Sequence, residues 1–369
     1  MKVLTMMGTR PEVIRLSRVM ARLDESFKQV IVHTGQNRDY KLNGIFFDEM
    51  GLRQPDHDLA VQTSSLGTVL ADVLRKTEEV LKLEMPDAFL VLGDTNSSIS
   101  SVIAKRMHIP VYHMEAGNRC FDENVPEETN RRLVDHIADF NLVYTEHARR
   151  NLLAEGIHPR RVMLTGSPMY EVLDHYREQI EASDVLTRLE LSKGAYFLVS
   201  AHREENVDSP DRLNALLACL MAVRDRWKEP VLVSTHPRTR HRLEVLEGHA
   251  DLSGIIFSEP FGFHDYNHLQ MYARCVLSDS GTISEESSIL QFPAVTLRSS
   301  IERPESLDSG SILMTDLRKG TVLDAVEAAI ADHGKTGIPP EYTIKDCSVR
   351  VRNFILSTAF ENRVWSGLR

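Results

Sequence analysis

The sequence predicts an α/β protein built from two doubly wound parallel-sheet domains facing a cleft. Three observations predict it. Short β-branched or apolar runs alternate with longer amphipathic stretches, the pattern of parallel strands joined by helical crossovers. At 369 residues the chain is long for one hydrophobic core, so two domains of ordinary size are expected. The rhythm also breaks once, at GSPMYEVLDHYREQ from Gly166 onward, and then restarts.

The elements come in order. The first run, VLTMM at 3–7, stops at Gly8, and Pro11 then suits the first turn of a helix over 11–23. Further strands are expected at 29–34, 88–93, 111–115, 140–144 and 162–165, with a helix over 66–83. Beyond the break, strands are expected at 196–201, 231–235, 254–258, 276–279 and 294–297. An amphipathic segment at 348–357 comes after the proline-containing connection GIPPEY and reads as crossing back to the first domain. The expected domains are therefore 1–167 and 168–345, both Rossmann-like, with a terminal segment 346–369.

Composition narrows the function classes. Apolar residues make up 42% and charged residues 26%, which is globular rather than disordered or fibrous. The net charge of -10 is spread without a long block of one sign, so nucleic acid is not an expected partner. A small anionic ligand stays compatible with local gatherings of arginine and histidine. Cys120, Cys219, Cys275 and Cys347 are widely separated and form no CxxC, which suggests neither a zinc ribbon nor a disulfide framework. Reduced thiols fit a cytoplasmic protein. The apolar part of MKVLTMMGTRP is too short for a signal peptide, and no apolar run approaches the ~20 residues of a membrane helix. A soluble cytoplasmic protein without a membrane partner is expected.

In open α/β sheets ligands bind beyond the carboxyl ends of the strands. The expected strands here run into Gly8-Thr9-Arg10, Gly93-Asp94-Thr95, Glu115-Ala116-Gly117, His202-Arg203, His236-Pro237-Arg238 and Asp279-Ser280-Gly281. In SDSGTISEESS, Ser280 and Gly281 fall at the start of a helix, where unpaired N–H groups and the dipole favour a phosphate. Glu285 or Glu286 in the next turn could grip ribose hydroxyls. The same residues read equally as an ordinary N-cap with dipole-favoured acids after it. Arg10 either forks onto a phosphate or is a surface cation.

Asp94, Glu115 and Glu127 form the acidic constellation, suited to general acid and base work or to holding a metal. His113-Met114-Glu115 offers His-x-Glu, but no PCxxC comes after it and no HExxH occurs, so zinc is not expected. Glu127 also reads as a first-turn acid ahead of Asn130 and Arg131. His202 and His236 end two strands, as phosphate donors, as acids or bases, or by chance. The chain has no GxGxxG and no GxxxxGK[ST], so the nicotinamide and P-loop fingerprints are missing. Eight residues beyond Glu285 and Glu286 stand Pro293 and Ala294, not the glutamate pair of many retaining glycosyltransferases. The residues alone describe a phosphorylated-ligand site, with carboxylates in one half and an anion site in the other.

The motifs GTRPE, GDTNS, HMEAG, VPEETNR, SAHREEN, SDSGTISEE and ERPE occur in that order. Through them the chain resembles the non-hydrolysing UDP-N-acetylglucosamine 2-epimerase family over nearly its full length. The resemblance implies a GT-B-like fold, a homodimer, no nicotinamide or metal cofactor, and UDP and a UDP-N-acetylhexosamine as ligands. It implies acid/base carboxylates at Asp94, Glu115 and Glu127 in the first domain, with His202 near the diphosphate. Nucleotide contacts are implied at Arg10, His236, Ser280, Gly281 and Glu286. Arg303 joins the site, and Tyr266 stands where the family has an aromatic near the uracil.

The implied reaction is C2 epimerisation. With no carbonyl beside it, the C2 hydrogen yields to an ordinary carboxylate only as the C1–O bond breaks, giving UDP and a 2-acetamidoglycal. Position 15, also expected at the substrate, is Arg where the UDP-GlcNAc branch usually has Lys. The TGQH segment, which in bacterial members helps hold an activating second UDP-GlcNAc, reads TGQNRDY with Asn37 for His, which argues against that activation. TGQNRDYKLN, EAGNRCFDENVPEE, GSPMYEV and FGFHDYNHLQ look more like the branch that forms UDP-N-acetyl-L-fucosamine from UDP-2-acetamido-2,6-dideoxy-L-talose for capsule or O-antigen sugars. Interconversion of UDP-GlcNAc and UDP-ManNAc is the alternative within the family. A glycosyltransferase on the same fold, or a non-catalytic sensor, would show no C2 exchange with solvent.

Overall fold

The structure, a computed structural model, describes residues 1–35, 44–235 and 252–367. His236 and positions 36–43 of TGQNRDYKLN, Asn37 among them, lie outside the described residues. The chain divides into two compact units, Met1–Asp174 with Thr343–Arg369, and His175–Tyr342.

The first unit is built on seven parallel strands. They are β1 (Lys2–Met7), β2 (Lys28–His33), β3 (His57–Asp58), β4 (Ala88–Leu92), β5 (Val111–Met114), β6 (Phe140–Val143) and β7 (Val162–Leu164). Their order is β3-β2-β1-β4-β5-β6-β7. Helices cover both faces, so the strands carry apolar residues on consecutive rather than alternate positions. β4, AFLVL, is buried throughout. Leu4, Met6, Val30, Val32, Phe89 and Val111 pack against Val69, Val73 and Leu81 of the Leu66–Glu84 helix. Ser65 caps that helix, its Oγ accepting the Thr68 N–H at 3.2 Å.

The second unit repeats the design with six parallel strands. β8 (Phe197–Ser200), β9 (Val231–Ser234), β10 (Ile255–Ser258), β11 (Cys275–Ser278), β12 (Ala294–Leu297) and β13 (Leu313–Thr315) run in the order β10-β9-β8-β11-β12-β13. Leu213, Leu216, Leu220 and Val223 of the Pro210–Trp227 helix cover Phe197, Val199 and Val231 on one face. Their spacing of three and four puts them on one helical stripe.

Each sheet reverses its order once, between β1 and β4 and between β8 and β11. These are the switch points where connections leave on opposite faces and open a crevice.

The units divide after Asp174 and Tyr342, against the expected bounds after 167 and 345. Met169, Val172 and Leu173 of the Met169–His175 helix are buried, and the Glu171 carboxylate accepts the Ser348 N–H at 2.8 Å. That contact lies within the first unit, to which the Cys347–Thr358 helix returns. Phe354 of that helix packs edge-on against Phe140, centroids 5.2 Å apart, and Thr358 Oγ1 is hydrogen-bonded to Tyr112 OH at 2.7 Å. Among the described residues no helix is long and apolar enough to cross a membrane.

Candidate active site

In the first unit the site begins where β1 stops. Gly8 has no room for a side chain, since a Cβ there would collide with Thr34 Oγ1 and Ser97 Oγ. Thr9 is the N-cap of the Arg10–Ser26 helix, Pro11 lies in its first turn, and Glu12 closes a capping box by accepting the Thr9 N–H at 2.8 Å. The same Glu12 oxygen accepts the Gly8 N–H at 3.0 Å and the Thr9 hydroxyl at 2.7 Å, while its other oxygen accepts Thr95 Oγ1 at 2.9 Å. Glu12 therefore ties the end of β1 to the end of β4 across the switch point. Burial pushes its carboxyl up to about 7, with the four hydrogen bonds opposing part of that rise.

Arg10 opens the same helix and Arg15 lies further along it. Arg10 is half-buried and Arg15 is buried. Arg15 Nη1 forms an ion pair with Glu115 Oε2, both side chains being nearly inaccessible. Glu115 comes directly after β5 in a left-handed backbone conformation, φ 62°. For a residue with a Cβ this costs about 1–3 kcal/mol and is retained only where surrounding contacts fix it.

Asp94 lies just past β4, next to β5 in the sheet. It pairs with Arg131 of the Pro126–Ile137 helix, and Arg131 Nη2 also lies 3.6 Å from Glu115 Oε1. Arg131 thus lies between the two strand-end carboxylates and, with Arg15 on Glu115, offsets their buried charge. Asn130 Nδ2 donates to the Asp94 carbonyl at 2.9 Å, fixing the helix against the loop. Glu127, half-buried, stands one turn before Arg131 on the same helix face, an i,i+4 relation. Its neighbour Glu128 accepts the Cys120 N–H at 3.0 Å and Arg132 Nε at 2.9 Å, and so pins the 118–125 loop instead.

The second unit gathers the other expected residues. Asp279, fully buried after β11, accepts the backbone N–H groups of His202 at 3.0 Å and Arg203 at 3.0 Å and the Asn206 amide at 3.1 Å. The His202 ring nitrogen Nδ1 lies 3.2 Å from the same carboxylate. Ser280 and Gly281 line a small crevice with Ser284, Arg298, Glu302 and Arg303. A Cβ at Gly281 would project to within 3.5 Å of Arg303 Nη1. Thr282 is the N-cap of the Ile283–Leu290 helix, so the crevice sits at its positive end.

Of the two glutamates in that helix, Glu285 is engaged by Arg303 at 3.0 Å and 3.1 Å, and Glu286 accepts Gln270 Nε2 at 2.7 Å. Tyr266 is half-buried in the Phe263–Tyr272 helix, one turn before Gln270. A pocket of about 110 Å³ between the Ile283–Leu290 and Lys319–Ala331 helices reaches Ala294 at the start of β12, away from the strand carboxyl ends. Among the described residues no group of three or more His, Cys, Asp or Glu side chains is placed to hold a metal ion.

The structure thus brings Arg15, Asp94 and Glu115 together directly, with Glu127 on the adjoining helix. It brings Ser280, Gly281 and Arg303 together in the second unit, with His202 anchored on Asp279. Arg131, Asp279 and Glu12 are not among the site residues expected from the sequence. The i,i+4 spacing of Glu127 and Arg131 and the T-x-x-E of Thr9 and Glu12 are the signals that point to two of them.

Two Rossmann-ordered parallel-sheet domains, each with its ionisable residues collected at a switch point, make this a GT-B-like α/β protein. Similarity to known proteins gives the class a chemistry. The family model described as UDP-N-acetylglucosamine 2-epimerase matches residues 21–356. A UDP-2,3-diacetamido-2,3-dideoxy-D-glucuronate 2-epimerase of Pseudomonas aeruginosa is 31% identical over 341 residues, 91% of this chain and 93% of that protein. The structure of UDP-N-acetylglucosamine 2-epimerase from Rickettsia bellii superposes with a TM-score of 0.93 at 44% identity, covering 99% of each chain. The UDP-GlcNAc 2-epimerase of Methanocaldococcus jannaschii, in complex with UDP-GlcNAc and UDP, superposes with a TM-score of 0.91 at 31% identity over 97% of this chain and all (100%) of that one. The chain belongs to the UDP-N-acetylglucosamine 2-epimerase family and is an isomerase.

Proposed function

We propose that this enzyme inverts C2 of a UDP-N-acetylhexosamine by anti elimination of UDP and its re-addition. The observation that carries the reading is Arg131, which holds Asp94 and Glu115 beside each other one helical turn from Glu127. A carboxylate takes the C2 proton, the C2–H electron pair becomes the C1=C2 double bond, and the C1–O pair leaves with UDP. A proton returned to C2 on the opposite face, with UDP re-adding at C1, completes the inversion. Two carboxylates serving opposite faces are the least equipment this needs.

In this reading Asp94, Glu115 and Glu127 move the protons, and His202 works at the diphosphate. Arg10, Arg15, Ser280, Gly281 and Arg303 bind the charged part of the ligand, and the Gly281 crevice at a helix N-terminus suits a phosphate. Glu286, His236 and Tyr266 hold the nucleoside. Donors aimed at the departing diphosphate stabilise charge that develops only as the C1–O bond opens.

The favoured substrate is UDP-2-acetamido-2,6-dideoxy-L-talose, giving UDP-N-acetyl-L-fucosamine for capsule or O-antigen synthesis by a cytoplasmic homodimer. The segments EAGNRCFDENVPEE, GSPMYEV and FGFHDYNHLQ and the arginine at position 15 support it. Interconversion of UDP-GlcNAc and UDP-ManNAc is the second reading, favoured by the name of the Rickettsia bellii protein. Proton NMR in D2O with each sugar nucleotide in parallel separates them. Deuterium entering C2 with inversion of the talose derivative supports the first, the same with UDP-GlcNAc alone supports the second, and silence in both with UDP bound overturns the 2-epimerase assignment for these sugars.

A further inference from the structure

Beneath the carboxylates lies a buried ionic network. His113, in β5, points Nε2 at the Gly93 carbonyl, 2.7 Å away, and because a carbonyl only accepts, this nitrogen donates. Its Nδ1 lies 2.9 Å from Asp135 Oδ1. Asp135 accepts the Gly117 N–H at 3.2 Å on each oxygen, and Arg119 Nη1 stands 2.7 Å from Asp135 Oδ2. The Arg119 fork continues to Glu155, Nε to Oε1 at 2.8 Å and Nη2 to Oε2 at 2.7 Å. The side chains of His113, Asp135 and Arg119 are all 0% exposed.

Burying these groups is expensive and adds little apolar packing. What they hold is specific. Gly93 immediately precedes Asp94, and Gly117 comes two residues after Glu115. Both glycines have left-handed backbones, φ 70° and 80°, and Glu115 between β5 and Gly117 shares that conformation. Gly117 is further wedged against the Glu146–Ala154 helix, where a Cβ would come within 2.9 Å of Leu152 Cγ. Asn151 Nδ2 of the same helix donates to the Gly117 carbonyl at 3.0 Å. The network thus grips the backbone next to Asp94 through His113 and next to Glu115 through Asp135, and the two side chains abut, Nδ1 against Oδ1, without a hydrogen bond between them.

We propose that His113 and Asp135 are positioning residues for the epimerisation: they fix the two loops that carry Asp94 and Glu115, and so set the spacing of those carboxylates. The proposal rests on the 2-epimerase reading. Neither residue touches substrate in this account. They act through main-chain hydrogen bonds, and Arg119 with Glu155 keeps Asp135 oriented. A misplaced carboxylate pair would slow proton return to C2, so the glycal and UDP would escape more often before re-addition. Misplacement by about 1 Å is enough to cost a factor of ~100 in rate.

The test uses Asp135→Asn, close in shape, and Glu155→Gln, whose side chain is half-buried at the end of the network. The expected result for Asp135→Asn is a kcat lowered about 10- to 100-fold per folded enzyme, with KM and UDP affinity within about threefold. The ratio of released 2-acetamidoglycal to epimer should rise several-fold, and Glu155→Gln should shift kcat and ratio the same way by less. A loss of folded protein alone would lower every rate equally and leave that ratio and KM unmoved. Amide hydrogen exchange supplies a readout that needs no turnover. Peptides covering 93–96 and 115–119 should both exchange faster in the variants, while β8 and β11 do not change.

Native kcat, ratio and exchange in a folded Asp135→Asn protein would overturn the proposal. So would loosening of 115–119 alone, which would separate Asp135 from the Asp94 loop. Should Asp135→Asn not fold, native behaviour of Glu155→Gln in both readouts overturns it equally. If the wild-type enzyme exchanges no C2 hydrogen, the reaction reading fails instead, and amide exchange still decides whether the network couples the two loops.

Discussion

Arg131 pairs with Asp94 across 37 positions of sequence, from the middle of a helix to the end of β4, with the arginine side chain 2% exposed. Removing a partner from a pair this buried leaves a charge without compensation, and here Glu115 would lose a neighbour too. Arg131→Met is expected to cost about 3–5 kcal/mol of stability and essentially all turnover. Arg131→Lys, with a point charge in place of a fork, should fold better yet remain well below wild type in kcat. Urea unfolding and steady-state kinetics on both variants check this; wild-type stability in Arg131→Met would show that the pair is not a structural element.

Glu115→Gln and Glu127→Gln separate chemistry from binding. Each should retain UDP affinity within a few-fold while C2 deuterium uptake drops by about 100-fold or more. Calorimetric titration of UDP and NMR in D2O give the two numbers. Near-normal uptake in both variants would remove these carboxylates from the proton-transfer role.

Glu12 gives the protein a pH signature. Its carboxyl stands at about 7 in the folded protein against an ordinary 4.5, because burial disfavours the charge more than its hydrogen bonds favour it. Between those values the native state keeps a proton that the unfolded chain has released, so this group's contribution to stability falls as pH rises through the window and stays low above it. Glu12→Gln cannot ionise. Its stability relative to wild type should therefore improve between about pH 5 and about pH 8, by at most ~3 kcal/mol. Urea midpoints at the two pH values check it, and a gap independent of pH would mean that Glu12 titrates normally.

Arg10→Ala addresses ligand capture. With Arg10 half-buried at the end of β1, loss of its fork should raise KM and UDP Kd about tenfold, as expected for a lost charge-assisted hydrogen-bond pair, with a smaller effect on kcat. Unchanged affinity and activity would make Arg10 an ordinary surface cation.

Much of the fold is legible in the sequence, and the parts that are not have identifiable causes. Eleven expected strands correspond to β1, β2 and β4 to β12, all parallel and most of them buried, with β7 and β10 at sheet edges half-buried or partly exposed. β3, His57–Asp58, and β13, Leu313–Thr315, escape because two or three residues at a sheet edge carry no periodicity. The Met169–His175 helix reads as part of the second domain because GSPMYEV breaks the strand rhythm; its place is set by burial of Met169 and by Ser348, 177 positions from Glu171, which no local pattern announces. The carboxylates Asp94 and Glu115 are readable as strand-end residues, since a sheet's carboxyl edge can be located from its strands. Arg15 and, through its spacing from Glu127, Arg131 leave a trace in the sequence, but their pairing with Glu115 and Asp94, and the joining of His113 in β5 to Asp135 on a later helix, are visible only once the chain is folded.

The most direct test of the elimination account uses substrate carrying oxygen-18 in the bridge between C1 and the β-phosphate. If UDP departs and returns, the freed β-phosphate rotates before re-addition, and the label must spread from the bridge to the non-bridging oxygens while deuterium from D2O enters C2. That scrambling, in substrate recovered before equilibrium and in epimer alike, is the predicted result. Inversion at C2 with the label still wholly in the bridge would contradict it, because the C1–O bond would never have opened.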